Sequence, residues 1–182
     1  AFACSNIATE HLFFVAGGHI AAHLGDFSTG LRAELADAFS RVRARHALVV
    51  EMLPEQFLDG CLEDRRRCSI EALVKVLSAY ADVRLEFGPE SLREAAAAAL
   101  CGRRAELSSR LMRQVLQAAA RARWPNARLL QLAAEVAARD PNDWERDAMY
   151  ECFHQLRVSA PAGFPTSPDR EQRLAQRARR RA

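Results

Sequence analysis

The chain has 182 residues, a length that suggests one domain, and 49% of them are hydrophobic, which argues against general disorder. Alanine fills 35 positions while Val, Ile and Thr are scarce, so helix is favoured over strand, and 8 Gly with 7 Pro are too few for a turn-rich sandwich. Net charge is +3 but uneven: the last fifteen residues hold six arginines against Asp169 and Glu171, a net +4, so the other 167 residues carry −1.

The N-terminal AFACSN matches the middle of a motif that recurs downstream, with Phe2 aligned on Phe39. This alignment predicts that Ala1 lies inside a helix and that the natural chain continues upstream. A helix is then expected over Thr9–Leu24, and it contains the longest apolar stretch, Leu12–Leu24, which His19 and His23 interrupt. That stretch is too short to span a bilayer, and no secretory signal pattern is present. Gly25 stands where a C-terminal cap belongs, and Asp26 is the candidate N-cap of the next helix.

The repeated motif reads LADAFSRVR at 35–43, VLSAYADVR at 76–84, VLQAAARAR at 115–123 and MYECFHQLR at 149–157. Counted from Phe2, the spacings are 37, 41, 39 and 34 residues, about 38 on average, a period of the length that helical repeats show. Apolar positions 1, 4, 5 and 8 form one face of a helix, so Leu35, Phe39, Tyr80, Val83, Leu116 and Phe153 are expected in the core. Position 4 is small, with Ala38, Ala79, Ala118 and Cys152, which admits a close neighbour. Position 9 is always arginine: Arg43, Arg84, Arg123 and Arg157. Further second helices are expected over Ala47–Leu62, Pro89–Leu100 and Pro125–Ala138, with Pro89 and Pro125 in the first turn. Gly60 and Gly102 follow two of these helices as caps, and Ser69 and Asp140 would start the next first helices. Neither helix of such a pair buries its apolar face alone, so the units must stack.

After Val158 the segment SAPAGFPTSP, with three prolines, reads as a linker. Ser167-Pro168 then begins a last helix to about Arg180, polar nearly all round and in need of a partner. The expected organisation is a repeat array over 1–158 with its first unit incomplete, a Pro-rich linker over 159–167, and a basic C-terminal helix or tail over 168–182.

Paired helices of this length, with the ADAFSRVR, SAYADVR and AAARAR stretches and a second helix such as ARLLQLAAEVA, resemble the heptatricopeptide and octotricopeptide families over residues 1 to about 158. The resemblance implies an all-α, right-handed solenoid of stacked helix-turn-helix repeats. It also implies a mitochondrial location and either RNA binding or a place in an organellar ribosome. The chain departs from many such proteins in having no room after 158 for a C-terminal RAP domain, and its irregular repeat lengths do not suit a one-repeat, one-base code.

No Walker loop, GxGxxG, HExxH or GxSxG motif occurs, and no enzymatic activity or cofactor is expected. His11, His19 and His23 are spaced by whole turns but read as packing or surface residues rather than metal ligands. The five cysteines, Cys4, Cys61, Cys68, Cys101 and Cys152, are odd in number and form no CxxC. Cys61 and Cys68 therefore read as structural or incidental thiols, in a reducing interior rather than a secreted protein, and no local pattern supports Cys chemistry with His154.

Arginine outnumbers lysine 25 to 1, a ratio that GC-rich codon usage also explains. The position-9 arginines carry two readings. They satisfy helix C-terminal carbonyls and complement the dipole, or they form a basic ladder for phosphates. Arg65, Arg66 and Arg67 make an exposed cluster in a turn, and Arg170, Arg173, Arg177, Arg179, Arg180 and Arg181 make the tail the strongest electrostatic feature. Trp124, Trp144, Tyr80 and Tyr150 are few for base stacking, and the tyrosines suit the buried face better than a stacking platform, so the sequence does not support free single-strand binding. The sequence thus predicts a structural subunit that contacts ribosomal RNA and neighbouring subunits. The alternative is a protein-only scaffold in another large organellar complex.

Overall fold

A computed structural model of the chain describes residues 10–41, 68–82, 90–140 and 142–165. These residues form seven α-helices, two short 3-10 turns and no strand, as an all-α sequence requires. The helices are α1 Glu10–Ala22, α2 Thr29–Arg41, α3 Ile70–Asp82, α4 Glu90–Gly102, α5 Ser109–Arg121, α6 Ala127–Arg139 and α7 Asp143–Leu156. The expected helix over 47–62, the start at Ala1 and the last helix from 168 lie outside the described residues. The chain divides into two compact units, residues 1–103 and 104–182.

In the first unit α2 packs on α3. α3 is buried almost all round, through Ile70, Leu73, Val74, Val76, Leu77, Ala79, Tyr80 and Ala81, and is central for that reason. Phe39 of α2 is buried and meets Phe13 of α1 edge-on, with ring centroids 5.2 Å apart. Glu34 and Lys75 pair across α2 and α3. Leu35 and Ala38 are half-buried rather than enclosed, because the buried stripe of α2 runs through Ala33, Ala36, Phe39 and Ser40 instead. Val83 lies outside the described residues.

In the second unit α5, α6 and α7 pack on one another, most closely α5 on α7. Met112, Val115, Leu116, Leu129, Val136, Met149 and Phe153 form its core. Ala118, Ala119, Ala133, Ala137 and Cys152 are buried among them, the small residues that close approach needs. In both units the helices that carry the repeated motif pack against each other: α2 on α3, and α5 on α7.

The helix starts correct several sequence expectations. Ser69 caps α3 as expected, its Oγ accepting the Ala72 N–H at 3.1 Å. Asp26 instead ends a 3-10 turn, and Ser28 starts α2 by accepting from the Leu31 N–H at 3.3 Å. Pro125 is not in the first turn of α6, because Asn126 is its N-cap and accepts from Arg128 and Leu129. Asn142, not Asp140, caps α7, accepting from Glu145 at 3.1 Å. The Asp140 carboxylate instead accepts the Ser109 N–H at 3.4 Å, at the start of α5. Both asparagines follow a proline in sequence. Proline forces the residue before it out of the helical region, so the residue after it opens the helix.

Two arginines close loops that are 35 residues long. Arg103, buried, donates to the Cys68 carbonyl at 2.6 Å, and Arg139 donates to the Arg104 carbonyl at 2.7 Å. Each ties the end of a second helix to the segment that leads into the preceding first helix. Cys68 is disulfide-bonded, its partner lying outside the described residues, so the free thiol expected there is corrected. An odd cysteine count argues against a scaffold of several bridges but does not forbid one.

The expected linker is ordered where it is described. Pro161 accepts from the Phe164 N–H at 3.1 Å, and Gly163 between them has φ +79, the left-handed third position that a type II turn requires. The turn lays Phe164 edge-on against Phe153 of α7 at 5.0 Å.

Candidate nucleic-acid interface

Of the arginines that the sequence marks, Arg123 and Arg157 are described. Arg43, Arg65, Arg66, Arg67, Arg84, Arg170, Arg173, Arg177, Arg179, Arg180 and Arg181 lie outside the described residues.

Arg123 and Arg157 sit at the same place in two successive motifs and adopt the same backbone. Their φ angles are 53 and 59, in the left-handed region. After α5, the Arg123 N–H donates to Ala120 at 3.2 Å and the Trp124 N–H to Ala119 at 2.8 Å. After α7, the Arg157 N–H donates to His154 and the Val158 N–H to Phe153, both at 3.0 Å. This is the paired closure that ends a helix through a left-handed residue, usually glycine. The left-handed residues among those described are Arg123, Arg157 and Gly163, so neither Gly25 nor Gly102 fills the capping role expected of it.

The closure answers the two readings of the arginine column in part. Backbone N–H groups, not guanidiniums, satisfy the last carbonyls of α5 and α7. Both side chains are exposed, and neither makes a hydrogen bond or ion pair with the described residues. A non-glycine residue pays roughly 1–2 kcal/mol in this conformation. A cation near a helix C-terminus returns about 0.3–1 kcal/mol at an exposed site. The local balance thus favours glycine at both positions, yet arginine occupies both.

The arginines on the helix faces behave differently. Arg113 of α5 is mostly buried and pairs with Glu145 of α7, whose carboxylate is buried too. It also donates to Gln117 at 3.2 Å, and its guanidinium lies 4.8 Å from the centre of the Trp144 ring. Arg146 donates to the Ala137 carbonyl at 3.0 Å and pairs with Asp143 at 3.3 Å. Lys75 and Arg41 are paired with Glu34 and Asp37. Among the described residues of the second unit Trp144 is a large aromatic left outside, 65% exposed, while Trp124 is buried; in the first unit Phe14 is exposed as well.

His19 and His23 are exposed with ring centroids 4.7 Å apart, and His23 meets Asp26 at 3.3 Å. No group of three metal-ligating side chains forms among the described residues. Burial pushes the Cys152 thiol up to about 11 despite the nearby Arg113 and Arg121, and its Sγ donates to the Ala148 carbonyl. It is neutral at physiological pH and a poor nucleophile. Tyr80 is likewise raised by burial. No helix among the described residues is long and apolar enough to cross a membrane. No protein family, curated protein or solved structure matches the chain.

Proposed function

We propose that this chain is an RNA-associated structural subunit of a mitochondrial ribosome, a right-handed solenoid of about 38-residue helical repeats that contacts ribosomal RNA phosphates and neighbouring proteins. The observation that carries this reading is the pair Arg123 and Arg157. They are exposed, lack partners among the described residues, and are held at equivalent helix ends in a backbone conformation that disfavours them. A guanidinium fork donates two hydrogen bonds to one phosphate, and that contact offsets the local cost. Arg123 and Arg157 end two helices that pack on each other, α5 and α7. The basic segment from 168 and the Arg65–Arg67 cluster extend the same electrostatic theme in sequence.

The second reading is a protein-only scaffold in another large organellar complex. It is favoured by α1, where Leu12 and Val15, one turn apart, are exposed and Phe14 is exposed as well, apolar surface that suits protein contact. The tests separate the two. Mitochondrial ribosomes pelleted through a high-salt cushion should retain the chain, and crosslinking should join it to ribosomal RNA. Recovery with proteins alone, free of RNA crosslinks, would favour the scaffold.

A further inference from the structure

We infer that Trp144, with Arg113 beneath it, is a stacking platform for a base of single-stranded RNA, a proposal that rests on the RNA-binding reading above. Trp144 is 65% exposed on the second residue of α7, so the core does not need its ring. The ring is nonetheless held. Asn142, two residues earlier, caps the helix and fixes the backbone, and Arg113 packs against the indole at 4.8 Å. Arg113 cannot swing away freely, because Glu145 and Gln117 bind it on the same surface.

The charges favour a base as the occupant. The carboxylates on either side of Trp144 are both engaged, Asp143 with Arg146 and Glu145 with Arg113, so these two are not bare anions facing a phosphate. Arg110, exposed one turn before Arg113 on α5, adds a cation to the same side of the helix. A guanidinium against one face of the indole draws electron density toward itself, which disfavours a second cation on the other face and leaves that face to a neutral, polarisable ring. Nucleobases of every kind offer such a ring. In the same unit Trp124 is buried and Tyr150 packs on Phe153 and Phe164, which leaves Trp144 as the exposed indole there; Tyr80 is buried, and Phe14, exposed on α1, belongs to the first unit.

The test uses the full chain and two probes of equal charge, a twelve-nucleotide single-stranded RNA and an abasic strand of the same length. The platform predicts that the base-bearing strand quenches tryptophan fluorescence and binds tighter than the abasic one by roughly five- to a hundredfold. Trp144→Ala should remove most of that preference while leaving the abasic affinity unchanged, and Trp144→Tyr should keep much of it. If both strands bind the wild type but Trp144→Ala alters neither and no quenching occurs, the RNA reading survives and the platform is overturned, with the indole left to a protein contact. If neither strand binds the wild type, both fall together.

Discussion

Within residues 104–182 two arginines on helix faces and two in left-handed caps are treated in opposite ways. On the faces, Arg113 and Arg146 are held by Glu145, Asp143, Gln117 and a main-chain carbonyl, and they join α5, α6 and α7. At the ends, Arg123 and Arg157 hold nothing among the described residues, and the backbone closes the helix without them. Gly163 sharpens the contrast, since the same chain places glycine where a nearby turn needs a left-handed residue. Folding explains Arg113 and Arg146, whereas Arg123 and Arg157 occupy a backbone conformation that disfavours them, and the proposed external anion accounts for that.

The comparison depends on the register that equates the motifs, and the largest effect tests that register. Phe39, at motif position 5, is enclosed against Phe13, so Phe39→Ala should lower unfolding stability by about 3–5 kcal/mol in denaturant titration. A loss below about 1 kcal/mol, the range of exposed sites, would break the register. The face arginines come next. Glu145→Gln leaves the Arg113 guanidinium without its carboxylate in a mostly buried setting, and should cost about 1.5–3 kcal/mol. The isosteric change keeps the shape, so an unchanged midpoint would mean that the face arginines are no more structural than those at the ends.

Much of this was legible in the sequence. The 3.6-residue apolar spacing gave the helices, and the motif alignment equated Arg123 with Arg157, which proved to share one backbone conformation and one closure. The caps Asn126 and Asn142 were legible too, in the Pro-Asn pairs, had the proline been read as a boundary rather than a first turn. What could not be read were contacts across 30 or more residues. Arg103 to Cys68, Arg139 to Arg104 and Arg113 to Glu145 follow no local pattern, because stacking of neighbouring helices sets them. The platform at Trp144 was hidden for the same reason: exposure depends on which face the tertiary packing buries.

The most direct test of the account is the double variant Arg123→Gly/Arg157→Gly, measured for stability and for RNA affinity against salt. Glycine relieves the left-handed strain and forfeits the weaker dipole term, so each change should stabilise the fold by about 0.5–1 kcal/mol. On a single strand each lost phosphate contact flattens the log–log salt slope by about 0.7, so the pair should reduce it by about 1.4. A variant that is more stable and binds RNA with a shallower slope is the predicted result. A variant that is less stable, with affinity and slope unchanged, would show that these arginines serve the fold and would contradict the account.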